Sequence, residues 1–200
     1  SRGPDSAGFA IYKEENKENY KYSLCLNNTN VNDFEKKILK ILKKPQLSQF
    51  SDHVILKTSE NPKKMIKILS LNFPEVSIVG YGKSIEIFKQ IGNPKDIVKK
   101  FNLESFSGTH GIGHTRMATE SAITTDGSHP YSTGEDECLV HNGSLSNHNN
   151  LRRDLTKKGN VFNSENDTEV AAGYISNSLS NNKSLKDTLI SGLKDLDGFY

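Results

Sequence analysis

Residues that can bind charged ligands and donate hydrogen bonds are concentrated in two segments of the chain. GTHGIGHTRMATES (108–121) and ECLVHNGSLSNHN (137–149) combine glycine, histidine and small polar residues, and five of the six histidines lie between His110 and His148. Glycine allows close approach of the backbone, and the polar side chains supply hydrogen bonds. This concentration predicts a binding or catalytic site in the second half of the chain.

Arg116 is the only arginine between positions 2 and 152, in a chain that otherwise uses lysine. The planar guanidinium group can donate two parallel hydrogen bonds to a carboxylate, which the ammonium group of lysine cannot do. Arg116 is therefore a candidate anchor for a carboxylate ligand. An ordinary ion pair explains this arginine equally well on the sequence alone.

The segment VHNGS ends an apolar run, read as a strand, in Asn142 and Gly143. An Asn-Gly pair is typical of a hairpin turn between two strands. The same pair can provide a side-chain amide and a backbone N–H that stabilise a developing oxyanion. The residues themselves leave both interpretations open.

Other combinations of reactive residues favour plainer interpretations. His110 and His114 have the spacing of a helical zinc pair, but the intervening glycines disfavour a helix and no third ligand is in place, so we expect no metal site. GTHGIG lacks the βαβ context of a dinucleotide fingerprint. Cys25 and Cys138 have no metal-ligand spacing, and we expect both to be reduced thiols, with Cys138 in the core of a strand.

Composition narrows the class of protein further. The chain has 200 residues, 34% of them hydrophobic, with a mean hydropathy of -0.62, which suits one globular core, or one core plus a small satellite. No apolar run approaches the roughly 18 residues of a membrane span, and the net charge of +2 is too small to predict a nucleic-acid or membrane partner. No secretory signal is visible, so we expect a cytoplasmic protein.

Helices and strands are predicted on both sides of the polar segments. In the lysine-rich first half, one helix runs from Val31 toward Pro45 and a second begins at Pro62. A strand is expected over 76–80, and 83–91 suits either a helix or a strand. Three more helices are expected over 146–159, 166–179 and 184–196. The last of these begins with a capping box formed by Ser184 and Asp187.

Five segments in order resemble the class II glutamine amidotransferases, which are N-terminal-nucleophile hydrolases. These segments are RGPDSAG (2–8), GHTRMATES (113–121), His129–Pro130, LVHNGSLSNHNNLR (139–152) and ENDTEVAAGY (165–174). Their residues are most similar to the amidotransferase component of N-methylglutamate synthase and of related glutamate-synthase-like proteins. Met117-Ala118-Thr119-Glu120 stands where sugar-phosphate amidotransferases usually have Trp-Ala-Thr-His, which disfavours that branch.

The resemblance implies an α+β fold, a four-layer αββα sandwich of two stacked antiparallel sheets flanked by helices. It further implies that residues 1–200 form a single glutamine amidotransferase domain that is incomplete at both ends. Residues 20–106 are then a peripheral, family-specific insertion.

The resemblance also assigns roles to individual residues. A cysteine thiolate attacks the glutamine amide, and a glutamyl thioester forms as ammonia leaves. Asn142 and Gly143 are implied as the oxyanion hole. The residues implied to bind the substrate are Arg116, Thr119, His129 and Asp167. Arg2 is implied to support the strand of the nucleophile, while Asp167 has a plainer alternative as a helix N-cap.

The nucleophile of this family is an N-terminal cysteine, which we expect upstream of RGPDSAG. Ser1 is not that nucleophile, and neither Cys25 nor Cys138 carries a free α-amine. The alternative is a catalytically dead chain that binds glutamate, glutamine or a partner. The implied partners are a glutamate-synthase-like β-helix subunit together with an FMN-binding synthase subunit. Any FMN or iron–sulfur cluster is expected in those partners, with no cofactor in this chain.

Overall fold

The computed structural model of the protein describes residues 3–118 and 122–199, and these residues form an α+β structure. In the first half the elements are β1 (Ser6–Tyr12), β2 (Tyr20–Cys25), α1 (Val31–Ile41), β3 (Gln46–Phe50), β4 (His53–Thr58), α2 (Pro62–Asn72), β5 (Ser77–Gly82), β6 (Ile85–Ile91) and α3 (Pro94–Lys100). In the second half they are β7 (His110–Arg116), β8 (Ser144–Leu145), α4 (His148–Lys157), α5 (Asp167–Ser180), α6 (Leu185–Asp195) and β9 (Gly198–Phe199). No helix of these described residues is long and apolar enough to span a membrane.

The first sheet is antiparallel, with the strand order β6-β1-β7. Its register places Gly8 of β1 opposite both Lys89 of β6 and His114 of β7. Directly opposed residues of neighbouring strands share one face of a sheet. Lys89 and His114 therefore lie on the same face, separated only by the glycine, and Arg116 lies two residues further along the same face.

The second sheet is built by residues 20–82, in the chain order β2-α1-β3-β4-α2-β5 and the spatial order β3-β4-β2-β5. This is the βαββαβ topology of ferredoxin-like units. Its core is formed where the two helices contact one face of the sheet, with Phe34 and Met65 fully buried. The helices predicted from Val31 and Pro62 are confirmed, although α1 ends at Ile41, four residues before Pro45.

The second sheet covers the outer edge of β6. Ser23 of β2 accepts a hydrogen bond from the backbone N–H of Ile87 at 2.8 Å, and Ile55 packs in a cluster with Phe88. An unpaired strand edge would otherwise expose such N–H groups. The segment 83–91 thus forms a strand and not a helix, and it joins residues 20–82 to the sheet of β1 and β7.

The strand expected before Asn142 is not formed, and Cys138 is not a strand residue, so both predictions were wrong. Leu139 makes only an isolated bridge with Tyr131. The reason is Asp136, whose carboxylate accepts hydrogen bonds from three consecutive backbone N–H groups, of residues 83, 84 and 85. The segment is held against the β5–β6 turn, and Cys138 packs half-buried, with Sγ 3.5 Å from the hydroxyl of Tyr12.

Candidate active site

Arg116 ends β7 as a buried cation, with only 7% of the residue exposed. One of its guanidinium nitrogens donates to the carbonyl of Ala122 at 3.4 Å. The backbone on either side of Met117 is held by Asp5, whose N–H donates to the carbonyl of Arg116 at 3.1 Å and whose carboxylate accepts from the N–H of Ala118 at 2.8 Å. The guanidinium group is therefore placed by a fixed backbone.

Two histidines contact Thr168 in the first turn of α5, and a third histidine stacks on one of them. The rings of His114 and His129 are stacked, with centroids 4.1 Å apart. Nε2 of His129 lies 3.0 Å from Oγ1 of Thr168, and Nδ1 of His141 lies 3.3 Å from the same oxygen. Thr168 therefore connects the segment of His129 with the loop of His141 and Asn142, and the stacked rings connect both to β7.

The stacked histidines are held in their neutral form. Burial lowers the pKa of His129 to about 3, and the charges of His114 and Arg116 act in the same direction. Burial also lowers the pKa of His114, although a hydrogen bond with the main chain of His141 opposes this effect. Because neutral imidazoles add no charge, the positive potential around His129 at neutral pH comes from Arg116 and Lys89.

Asp167 is fixed beside the loop that contains Asn142. It is the first residue of α5, and its carboxylate accepts a hydrogen bond from the N–H of Leu145 at 2.9 Å. The N-cap is Asn166, whose side chain accepts from the N–H of Thr168 at 2.9 Å. The capping alternative for Asp167 is therefore wrong, and its carboxylate, stabilised by the helix N-terminus, is placed for another partner.

Asn142 and Gly143 do not form the turn of a hairpin between paired strands. The segment before them bridges Tyr131, whereas β8 after them pairs with β9. Asn142 is exposed and lines an apolar groove of about 580 Å³ together with residues of this loop, α5 and α6. Among the lining residues are Ile175, Leu189 and Leu193. An exposed amide at the end of a loop can contact a ligand, as an oxyanion donor must.

The structure therefore brings together four of the predicted groups, namely Arg116, His129, Asp167 and the segment of Asn142 and Gly143. Thr119 and Arg2 lie outside the described residues. Sequence reasoning missed Thr168 and the role of His114, although both lie inside segments that carried the resemblance. The signal for Thr168 was its position in the first turn of a helix, next to Asp167.

The histidine spacing that suggested zinc does not produce a metal site. His110 and His114 both lie on β7, where four residues extend over about 13 Å, too far for a shared ion. A separate group, Cys25, Asp52 and His53, has candidate ligand atoms within 4.8 Å of one another. The Asp52 carboxylate already binds Lys100 at 2.9 Å, so a cation occupies that position.

A glutamine amidotransferase domain family matches residues 103–178, which include all of these converging segments. The glutamine amidotransferase-like protein GlxB of Rhizobium meliloti (strain 1021) is 45% identical over 202 residues, covering 100% of this chain and 67% of that protein. The chain belongs to the glutamine amidotransferase family.

Another relative matches a smaller part of the chain. The glutamine–fructose-6-phosphate aminotransferase of Methanococcus maripaludis is 37% identical over 123 residues, which cover 58% of this chain and 20% of that protein. The similarity to GlxB, by contrast, extends through the residues 20–82 that form the second sheet.

Proposed function

We propose that this chain is the glutaminase part of a class II glutamine amidotransferase with an Ntn-hydrolase fold. The observation that carries the proposal is that Thr168 contacts His129, His141 and Asp167, while His129 stacks on His114, two residues before the buried Arg116 on β7. A buried arginine, a fixed carboxylate and an exposed Asn-Gly loop thereby belong to one connected set of contacts. These are complementary to the α-carboxylate, the α-ammonium and the reacting amide of glutamine. Bidentate pairing with Arg116 and charge pairing with Asp167 would orient the substrate, and His129 and Thr119 are proposed as further substrate-binding residues.

The proposed reaction is acyl transfer through a thioester. A thiolate attacks the side-chain amide carbon of glutamine, and the oxygen takes the negative charge in a tetrahedral intermediate. The amide of Asn142 and the N–H of Gly143 donate to that oxygen. When the intermediate collapses, the C–N bond breaks, ammonia leaves after protonation of its nitrogen, and water then hydrolyses the glutamyl thioester.

The nucleophile in this proposal is a cysteine at the N-terminus of the mature protein, with its own α-amine as the base. Burial raises the pKa of the thiol of Cys25 and that of Cys138, which disfavours the reactive thiolate at both positions. Arg2, close to that cysteine in sequence, is proposed to support its strand.

The ammonia is proposed to serve a glutamate synthase or N-methylglutamate synthase complex in the cytoplasm. The partners would be a glutamate-synthase-like β-helix subunit together with an FMN-binding synthase subunit, with FMN and iron–sulfur chemistry confined to them. The similarity to GlxB over the whole chain, against partial similarity to the sugar-phosphate enzyme, supports a stand-alone amidotransferase component.

The test is covalent labelling of the full-length protein, with its partner subunits, by a glutamine analogue that carries an electrophilic carbon in place of the amide. We expect one adduct, on the N-terminal cysteine, and protection by glutamine. An adduct on Cys25 or Cys138 would contradict the mechanism. If glutamate stabilises the protein against unfolding but the analogue forms no adduct, the non-catalytic alternative is supported.

A further inference from the structure

Lys89 of β6 is a buried lysine that the proposed mechanism does not use. Only 5% of the residue is exposed. Its ammonium group donates to the carbonyl of Asp126 at 3.1 Å and to that of Ser128 at 3.0 Å, and it lies 4.7 Å from the ring centroid of Tyr131. The ammonium group therefore contacts the main chain directly before His129.

The charge of Lys89 is costly for the fold. Burial lowers the pKa of Lys89 to about 8, although the carboxylates of Asp126 and Glu169 oppose this shift. A lowered lysine pKa means that the protonated form is less favourable in the folded protein than in the unfolded chain. A buried cation of this kind is weak evidence for a stabilising role.

The loop that Lys89 holds lies directly on the sheet. A Cβ atom on Gly8 would lie 2.2 Å from the carbonyl oxygen of His129 and 2.6 Å from Cβ of Lys89. Lys89 and His114 are on either side of this glycine in the register of the sheet. The loop that ends at His129 therefore crosses the sheet over Gly8. On one side of the glycine Lys89 donates to the loop carbonyls, and on the other side His129 stacks on His114.

Two cations bind the two ends of the same loop. Arg116 donates to the carbonyl of Ala122, and Lys89 donates to the carbonyls of residues 126 and 128. The loop also has internal bonds, among them the hydroxyl of Ser128 to the carbonyl of Thr124 at 2.8 Å. A compact loop fixed at both ends holds the histidine at its end in one position.

We propose that Lys89 is a positioning residue of the glutamine site, which fixes the loop 122–129 and thereby holds His129 beside His114 and Arg116. The proposal rests on the proposed function, because it assigns a role in substrate binding. It also gives the lysine-rich first half a direct part in the site, since β6 connects residues 20–82 to the loop.

The experiment compares Lys89→Met and Lys89→Arg with wild type in the full-length protein with its partner subunits. Methionine matches the length of the side chain but removes the charge and the donors, whereas arginine keeps both. We expect Lys89→Met to raise the KM for glutamine about tenfold or more, the effect of losing a charged hydrogen bond, with a smaller change in kcat. Lys89→Arg should recover most of that loss. Lys67→Met, at an exposed lysine of α2, is the matched control.

A second readout is independent of the proposed function. Amide hydrogen exchange of residues 122–130 in the absence of ligand should be faster in Lys89→Met than in wild type, with exchange in α1 and α2 unchanged. Wild type that neither binds nor hydrolyses glutamine would refute the proposed function, while the exchange result would still decide whether Lys89 holds the loop.

The remaining outcomes overturn the role of Lys89. Wild-type KM and wild-type loop exchange in Lys89→Met would show that the ammonium group positions nothing. A lower melting temperature with unchanged KM would show a structural role only. If Lys89→Met does not fold, Lys89→Gln replaces it, and failure of both variants to fold would likewise assign Lys89 to stability and overturn the proposal.

Discussion

At the scale of single residues, the proposed role of Arg116 depends on the geometry of its guanidinium group more than on its charge. Its guanidinium is buried at the end of β7 and is fixed through the backbone contacts of Asp5. Lysine keeps a positive charge but is a point charge on a flexible stem, without the planar fork that matches a carboxylate.

We therefore predict that Arg116→Lys in the full-length protein raises the KM for glutamine by about tenfold or more, because one of two parallel charged hydrogen bonds is lost. Steady-state kinetics measure this effect. Arg153→Lys, at an exposed arginine of α4, is the control and should have wild-type kinetics. Equal KM values for wild type and Arg116→Lys would show that Arg116 does not bind the substrate carboxylate through a bidentate pair.

A substitution at Asn142 tests the proposed oxyanion hole. The oxyanion exists only in the tetrahedral state, so its donor contributes little to ground-state affinity. Asn142→Asp should lower kcat by about 10²–10³-fold, because a donor is lost and a negative charge is added, while the Kd for glutamate stays nearly unchanged. Asn149→Asp, at an exposed asparagine of α4, is the control. Wild-type kcat in Asn142→Asp would contradict the assignment.

At the scale of elements, the position of the loop 122–129 depends on the absence of a side chain at Gly8. A Cβ there would lie 2.2 Å from the carbonyl oxygen of His129, whereas a Cβ on Gly113 of the neighbouring strand would have its nearest contact at 3.9 Å. Substitutions at Gly8 and Gly113 can therefore be compared as a crowded and an open position of the same sheet.

Gly8→Ala should lower the free energy of unfolding by about 1–3 kcal/mol or more, because the alanine methyl group overpacks against a carbonyl. Gly113→Ala should change it by much less. Denaturant unfolding of both variants measures the difference. If the two substitutions were equally tolerated, the loop would not lie on β1 as the structure shows.

The helices α1 and α2 could be predicted from local patterns, because buried apolar residues recur four apart in each, Phe34 and Ile38 in one and Met65 and Leu69 in the other. The strands β2, β3 and β4 and the βαββαβ order were not predicted. The site was predictable only through motif resemblance. Lys89 was missed because a lysine in an alternating strand is usually solvated, and its burial follows from long-range pairing of β6 with β1. The strand expected at Cys138 was displaced by the hydrogen bonds of Asp136, which no local pattern reveals.

At the scale of the whole molecule, the buried histidines make stability depend on pH. The pKa of His129 is about 3 in the folded protein and roughly 6.5 in the unfolded chain. Between these values the unfolded chain binds the extra proton, so stability should rise with pH across this window and be lost as pH falls from about 6.5.

Between pH 6.5 and pH 4.5, His129 alone should therefore lower the free energy of unfolding by roughly 1.4 kcal/mol for each unit by which the pH falls. His129→Gln should flatten this dependence. Burial raises the pKa of Asp52, but hydrogen bonds from His53 and Lys100 outweigh it and lower the pKa to about 2. Asp52 therefore changes the free energy of unfolding only below this pH range, and its contribution should be the same in His129→Gln. An unchanged slope in His129→Gln would show that the imidazole is not buried in its neutral form.

The most direct test of the glutaminase function supplies glutamine labelled with ¹⁵N at the side-chain amide to the full-length protein with its partner subunits. We predict that the labelled nitrogen leaves as ammonia or enters the product of the complex, in a one-to-one ratio with the glutamate formed, and that Asn142→Asp abolishes this release. Glutamine or glutamate that binds at the site without any release of the label would contradict the catalytic function.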